Sequence, residues 1–123
     1  MYHFRMIALV VLLASFPICS ALGQEVFLNE IHYENSGVDQ GEGIELVGPT
    51  GLALDGWSVA LYDGSSGGVY DTIQLGGQIP STCGQYGVIF VAYQGLLSQE
   101  DNGAFNGLAI VDAVGSIVQF ISY

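Results

Sequence analysis

The sequence predicts an all-β protein, a two-sheet β-sandwich of about seven strands. Short runs rich in Val, Ile, Leu, Tyr and Phe recur along the chain between clusters of Gly, Asn and Asp. The chain has 18 glycines, 17 of them after residue 23, and they leave no stretch in which a useful helix could form. With 123 residues, 50% of them hydrophobic, the chain has room for one domain and enough apolar surface for its core.

Each predicted strand is an apolar run that ends at a turn signal. The last two strands form a hairpin, because Asp112-Ala113-Val114-Gly115 is a compact turn whose glycine can adopt a positive φ. Further turns are predicted at Asp55-Gly56, Asp63-Gly64, Asn102-Gly103 and Asn106-Gly107. The seven strands are expected at Val26–Tyr33, Gly43–Val47, Trp57–Tyr62, Val69–Leu75, Tyr86–Tyr93, Leu108–Val111 and Ser116–Ser122.

Residues 1–23 are predicted to be a secretory signal peptide rather than part of the fold. A short basic start containing Arg5 precedes an apolar run that is too short to span a bilayer comfortably, and Pro17 breaks it. Small residues favour cleavage before Gln24, with cleavage after Ala21 as the alternative. A retained membrane anchor is the other interpretation. We expect a secreted or periplasmic protein with no membrane span after cleavage.

The charge of the remaining domain, residues 24–123, is entirely one-sided. Arg5 is the only Lys or Arg against 12 Asp and Glu, so its removal takes the formal net charge from −11 to −12. A domain of this charge repels phosphate backbones, and direct nucleic-acid binding is not expected. Its carboxylates can be balanced only by hydrogen bonds, His32, the terminal amine, solvent cations or a bound metal ion.

Cys83 is the single cysteine that remains after residue 23, because Cys19 lies within the predicted signal peptide. An internal disulfide is therefore impossible in the processed chain. Two interpretations stay open: a small buried hydrophobic residue, or a free thiol that bonds to a partner or to a cysteine beyond Tyr123.

Four segments, in order along the chain, resemble the lamin-tail domain family. The segments are Val26-Phe27-Leu28-Asn29-Glu30-Ile31-His32-Tyr33, Gly43-Ile44-Glu45-Leu46, Leu54-Asp55-Gly56-Trp57-Ser58-Val59, and the closing hairpin from Gly107 to the terminal Ser122-Tyr123. They are similar to the family's opening strand with its Asn-Glu-Ile, its second strand, its Leu-x-Gly-Trp turn and its last two strands. The resemblance covers essentially the whole predicted domain.

This resemblance implies an immunoglobulin-like sandwich that does not itself catalyse a reaction. Secreted bacterial members of the family often accompany extracellular nucleases and phosphoesterases of the endonuclease/exonuclease/phosphatase type, and are supposed to anchor or target them. We therefore expect a secreted module for binding, anchoring or targeting, whose partner is a protein, a cell surface or a linked catalytic domain. The alternative is the N-terminal accessory domain of a larger secreted metal-dependent hydrolase, with the chain truncated at Tyr123.

The apolar pattern and the family motifs together predict the core and a polar site beside it. Asn29 and Glu30 share one strand, and Glu45 on the next strand is expected near Glu30. Two adjacent carboxylates without a basic neighbour can be accommodated in three ways. One of them has a raised pKa and is protonated, backbone N–H groups hydrogen-bond to both, or a divalent cation lies between them. The core is expected to contain Trp57, Phe27, Ile31, Ile44, Leu46, Ile110 and Phe120.

Calcium is the only cofactor that the sequence suggests. Asp39, Glu42 and Glu45 lie in a seven-residue stretch of a glycine-rich loop, and their carboxylates are the hard oxygen ligands that calcium prefers. Their spacing is not that of an EF-hand, and the segment Glu100–Gly103 lacks a following glutamate at EF-hand spacing. A solvated acidic loop is the alternative for both segments.

No catalytic constellation is evident, so no enzymatic activity is expected of this chain alone. The segment from Gly56 to Ala60 is only distantly similar to the nucleophile elbow of serine hydrolases, since Ala60 replaces its last glycine. A base would have to be His32, the sole histidine after residue 23. We expect this histidine to be a surface or turn residue. Walker, dinucleotide-binding and zinc motifs are absent from the sequence.

Overall fold

The computed structural model describes residues 26–35, 38, 40–98, 101 and 103–123. These residues contain seven strands, whose ends differ from the predicted ends by at most two residues. The predicted signal peptide 1–23, Asp39, Glu100 and Asn102 lie outside the described residues. The strands are β1 Phe27–His32, β2 Gly43–Pro49, β3 Ser58–Asp63, β4 Gly68–Gln74, β5 Tyr86–Ala92, β6 Gly107–Val111 and β7 Ile117–Ser122.

The strands form two antiparallel sheets, of three strands in the order β1-β2-β5 and of four strands in the order β4-β3-β6-β7. This is an immunoglobulin-like β-sandwich, in which β4 extends the sheet of β3, β6 and β7. Because successive side chains of a strand point to opposite faces, each sheet has one face toward the core and one toward solvent.

The core lies between the sheets and is built by alternate residues of the central strands. Ile44 and Leu46 of β2 and Ile110 of β6 are completely buried, and Trp57 is 8% exposed. These four residues were predicted to lie in the core. Burying a side chain of this size contributes about 1.5–3 kcal/mol. The other core residues are Val26, Leu54, Val59, Leu61, Leu75, Ile79, Leu96 and Leu108.

Phe27 and Phe120, predicted to lie in the core, are instead on the outer faces, where they are 39% and 55% exposed. Leu28 packs against the core, so its neighbour Phe27 must point outward. Phe120 lies opposite Ala109, and its ring forms an edge-on contact with Tyr62 at a centroid distance of 5.3 Å. The prediction was therefore wrong for these two residues, whereas Ile31 is partly buried against the core.

Two turns predicted from their glycines are formed as expected. The Trp57 N–H donates to the Leu54 carbonyl oxygen at 2.9 Å, and Gly56 between them has a φ of +83°. In the β6–β7 hairpin, the Gly115 N–H donates to the Asp112 carbonyl oxygen at 3.0 Å, and Gly115 has a φ of +87°. Residues with a side chain rarely adopt this conformation, which explains glycine at both positions.

The first and last strands contact each other, although they belong to different sheets. The Leu28 N–H of β1 donates to the side-chain Oε1 of Gln119 in β7 at 2.7 Å. The pairing of β1 with β2 shifts at this point, with one extra residue between Leu28 and Glu30. The side chain of Gln119 thus links the edges of the two sheets. None of the described residues belongs to a helix with the length and apolar character needed to cross a bilayer.

Candidate binding face on the three-stranded sheet

The outer face of the three-stranded sheet carries the polar residues that the sequence singled out. The register pairs Glu30 of β1 with Glu45 of β2, and Glu45 with Phe90 of β5. These three residues form one row across the sheet, which we call the carboxylate–aromatic row. The neighbouring row on one side of the carboxylate–aromatic row consists of His32, Gly43 and Ala92. The neighbouring row on its other side consists of Phe27, Val47 and Val88, and the pair Pro49 and Tyr86 follows that row.

Glu30 and Glu45 are direct cross-strand neighbours, as the sequence predicted. Asn29 occupies the extra position of the β1 bulge, and its side-chain Nδ2 donates to Oε1 of Glu45. Glu45 therefore receives a hydrogen bond from a side-chain amide and not from the backbone donors that the sequence analysis considered. An amide is neutral, so this contact orients Glu45 without cancelling its charge.

The aromatic member of the row, Phe90, is held in place by a glycine. A Cβ atom added to Gly43 would lie 2.5 Å from Cζ of the Phe90 ring, which shows that the ring covers this glycine. Packing of an aromatic ring over a glycine on a neighbouring strand fixes the ring position. Phe90 nevertheless remains 55% exposed, and its backbone lies directly opposite that of Glu45.

An open depression of about 540 Å³ borders this face at the end of β1 and is lined by residues 31–35. His32 lies at its rim, and its Nε2 donates to Oδ1 of Asn35 at 2.9 Å. The Nδ2 of Asn35 in turn donates to the carbonyl oxygen of Gln40 at 2.8 Å. His32 is therefore linked through the side chain of Asn35 to the backbone of Gln40, in line with the surface or turn position expected of it rather than with a catalytic base.

Glu42 and Glu45, two of the proposed calcium ligands, face different ways. Glu42 is buried, and its Oε2 accepts the backbone N–H groups of Gly95 at 2.7 Å and Leu96 at 3.3 Å. Glu45 points to the outer face and contacts Asn29. The structure does not bring the two carboxylates together, because they are an odd number of residues apart along an extended segment. The residues that the structure describes include no group of three His, Cys, Asp or Glu side chains placed to hold a metal ion.

The segment after β5, which lacked a strand signal, is anchored by polar side chains from three other parts of the chain. Besides Glu42, Tyr70 contributes a hydroxyl group that donates to the Gly95 carbonyl oxygen at 3.3 Å and accepts the Leu97 N–H at 3.2 Å. Asn106 is 2% exposed, and its Nδ2 donates to the carbonyl oxygen of Leu97 at 3.1 Å. These anchors were not predicted, because nothing local in the sequence marks their partners.

A cluster of tyrosines at the same end of the sandwich also went unpredicted. The Tyr93 hydroxyl donates to Oδ2 of Asp71, and this bond raises the pKa of Tyr93 to about 12 while it lowers the pKa of Asp71. The rings of Tyr33 and Tyr123 lie 5.0 Å apart, and burial is the main cause that raises the pKa of Tyr123. Asp71 lies in β4, whereas Tyr33, Tyr93 and Tyr123 directly follow β1, β5 and β7, so only the fold brings these groups together.

Ser58 and Cys83, the two nucleophilic residues considered from sequence, lie away from His32. Ser58 is on the four-stranded sheet, opposite Gln74, whereas His32 is on the three-stranded sheet. Cys83 is an exposed free thiol in the turn before β5, where its backbone pairs with Tyr86. The interpretation of Cys83 as a buried hydrophobic residue was wrong, because the tight turn holds this residue at the surface.

Comparisons of the chain with models of known families, with curated protein sequences and with solved structures gave no significant match.

Proposed function

We propose that this chain is an exported, non-catalytic β-sandwich that binds a partner and thereby serves as an anchoring or targeting module. The outer face of the three-stranded sheet is the observation that supports the proposal. Phe27, Tyr86 and Phe90 are 39%, 51% and 55% exposed there, around the carboxylates of Glu30 and Glu45. Single exposed aromatic residues are ordinary, but several on one sheet face mark a surface for contact with another molecule.

The resemblance of the motifs to lamin-tail domains supports the same function. In that family the sandwich serves as an accessory module, and the Leu54–Val59 segment with its turn at Gly56 is the most diagnostic part of the resemblance. Fold alone does not determine function, so the proposal depends on the surface rather than on the architecture. It applies equally to a free-standing module and to a module that is joined to a secreted nuclease or phosphoesterase.

Export and retention can be measured together on one fusion. The full chain is joined at its C-terminus to a fluorescent protein and expressed in the organism that encodes it, with residues 1–23 joined to the same reporter as the control. We expect mass spectrometry of the exported product to give an N-terminus at residue 24, and the fusion to remain at the cell surface or in a complex. Export of both proteins with equal release into the medium contradicts a binding role.

Catalysis is tested on the same purified product. We expect no hydrolysis of DNA or of bis(p-nitrophenyl) phosphate in the presence of Mg²⁺, Mn²⁺ or Ca²⁺. Turnover that co-elutes with the protein and disappears on substitution of one of its carboxylates contradicts the assignment as a non-catalytic module.

A further inference from the structure

The carboxylate–aromatic row offers a specific docking site for a positively charged side chain. We propose that Glu30, Glu45 and Phe90 bind an arginine side chain from a basic segment of a partner protein, with its guanidinium group on the Phe90 ring and hydrogen-bonded to the carboxylates. This inference rests on the proposed binding function and names the chemical class of the partner.

The geometry of the row suits a planar cation. Residues directly opposite each other on antiparallel strands have Cβ atoms about 4.5–5.5 Å apart, so Glu30, Glu45 and Phe90 span roughly one guanidinium group and its contacts. The amide of Asn29 binds Oε1 of Glu45 and orients the carboxylate. The second oxygen, Oε2, accepts no hydrogen bond within the part of the chain that the structure describes.

The aromatic ring adds a contact that an acidic patch alone lacks. Phe90 is packed over Gly43, so its position is fixed before a ligand arrives and little side-chain freedom is lost on binding. A cation over an aromatic face contributes about 0.5–2 kcal/mol. Arginine fits the row better than lysine, because its planar group can stack on a ring and donate to carboxylates in the same plane.

Charge complementarity determines where the arginine must come from. Residues 24–123 contain no Lys or Arg, so neither the folded domain nor a second copy of it can supply the arginine. The formal charge of −12 attracts basic molecules over long distances and repels acidic ones. A neutral ligand such as an oligosaccharide would leave the pair Glu30 and Glu45 without a compensating charge.

The test measures binding of a defined peptide to the purified product of the full-length gene. The probe is the fluorescein-labelled, amidated peptide Gly-Arg-Gly-Arg-Gly, and the matched peptides carry lysine or neutral citrulline in place of arginine. Fluorescence anisotropy gives the Kd in 20 mM and 150 mM NaCl. We expect arginine to bind best and citrulline to bind at least about tenfold more weakly, because it lacks the charge.

Variants separate the row from the general negative charge. Glu45→Gln and Phe90→Ala are expected to weaken arginine binding by about tenfold and about three- to tenfold. The matched controls are Asp55→Asn, which makes the same charge change at an exposed turn, and Phe105→Ala, which removes an aromatic that is 69% exposed elsewhere. Both controls are expected to stay within twofold of the wild type. Phe90→Leu, which keeps Gly43 covered, repeats the test without uncovering the sheet.

Several outcomes overturn the inference. The first is an equal loss in Glu45→Gln and Asp55→Asn, which shows that only net charge matters. The second is citrulline binding as tightly as arginine, or cellohexaose binding in a Phe90-dependent way without arginine binding. The third is no peptide binding while the wild-type fusion is still retained on cells, which refutes the arginine site and leaves the binding function standing. Loss of both peptide binding and retention refutes the two proposals together.

Discussion

The buried carboxylate of Glu42 is expected to be one of the main polar contributions to the stability of the domain. Its Oε2 accepts the N–H groups of Gly95 and Leu96 and ties the segment before β2 to the segment after β5. Glu42→Ala removes the acceptor and leaves both donors without a partner. A buried donor that loses its partner costs about 1–3 kcal/mol.

The two hydrogen bonds are unequal, and this sets the expected magnitude. The bond from Gly95 is 2.7 Å long and partly buried, whereas the bond from Leu96 is buried but 3.3 Å long, so we assign the larger loss to Gly95. Removal of one carboxylate from a domain of charge −12 offsets part of the loss. We expect a decrease of about 2–3 kcal/mol in the free energy of unfolding, and about 1 kcal/mol for Glu42→Gln, which keeps an acceptor.

Urea unfolding followed by tryptophan fluorescence measures this loss, because Trp57 is the only tryptophan and lies in the core. The solutions contain EDTA and 0.15 M NaCl, so that a calcium-dependent role of Glu42 is separated from its hydrogen bonds. Glu34→Ala, which removes an exposed carboxylate, is the control and is expected to change stability by less than about 0.5 kcal/mol. An equal effect of the two substitutions, or a loss at Glu42 that occurs only with added calcium, would refute the reasoning.

Three further predictions concern pH, packing and ions. The bond from Tyr93 lowers the pKa of Asp71, so the stability advantage of the wild type over Tyr93→Phe should be constant between about pH 5 and pH 9 and should decrease as the pH falls below about 4. Because the same bond raises the pKa of Tyr93 to about 12, the advantage should also decrease above about pH 10. An advantage that is unchanged between pH 5 and pH 2.5 contradicts this. Gly87→Ala places a Cβ far inside contact distance of the Pro80 carbonyl oxygen and should cost about 3 kcal/mol or more in urea unfolding. The control Gly68→Ala, whose Cβ would meet only Oγ of Ser66 at an ordinary contact distance of 3.6 Å, should cost less than about 1 kcal/mol. The midpoint of thermal unfolding should be higher in 150 mM than in 10 mM NaCl, because salt screens the repulsion between the carboxylates. Calcium should raise this midpoint no more than magnesium does at equal ionic strength. A midpoint that no salt changes contradicts the prediction.

Local signals in the sequence were sufficient for the strands and for the turns at Asp55-Gly56 and Asp112–Gly115. The turn predicted at Asn106-Gly107 was wrong, because Gly107 begins β6 and the backbone of Asn106 pairs with that of Tyr123. The Leu54–Trp57 turn and the Asp112–Gly115 hairpin each depend on a glycine at one defined position, and such signals do not need the rest of the fold. The two large apolar side chains of β2 that are fully buried, Ile44 and Leu46, follow from simple alternation with Glu45.

Which side chains of β1 and β7 face the core could not be predicted with the same success. Both strands contain consecutive apolar residues, so alternation does not decide which of Phe27 and Leu28, or of Phe120 and Ile121, faces the core. Bulges decide it, and a bulge arises from the pairing of two strands rather than from either strand alone.

The candidate binding face was predicted in part. The motifs predicted that Glu30 lies near Glu45 but gave no sign of Phe90, because the position of Phe90 relative to Gly43 and Glu45 follows from the β2–β5 register. A glycine within one apolar strand and an aromatic residue in another is the only signal that the sequence offers. The calcium hypothesis had the opposite weakness: proximity in sequence suggested a common site for Glu42 and Glu45, but an extended strand turns them to different faces.

The hydrogen bond between Leu28 and Gln119 has a consequence for how the chain reaches its folded state. The two residues are 91 positions apart, so the ribosome delivers β1 well before β7. Until β7 arrives, the backbone of β1 has no cover on its outer side and can pair with a strand of a neighbouring chain. Incomplete chains, rather than the finished sandwich, are therefore the species most prone to aggregate, and closure of the domain must await its final residues.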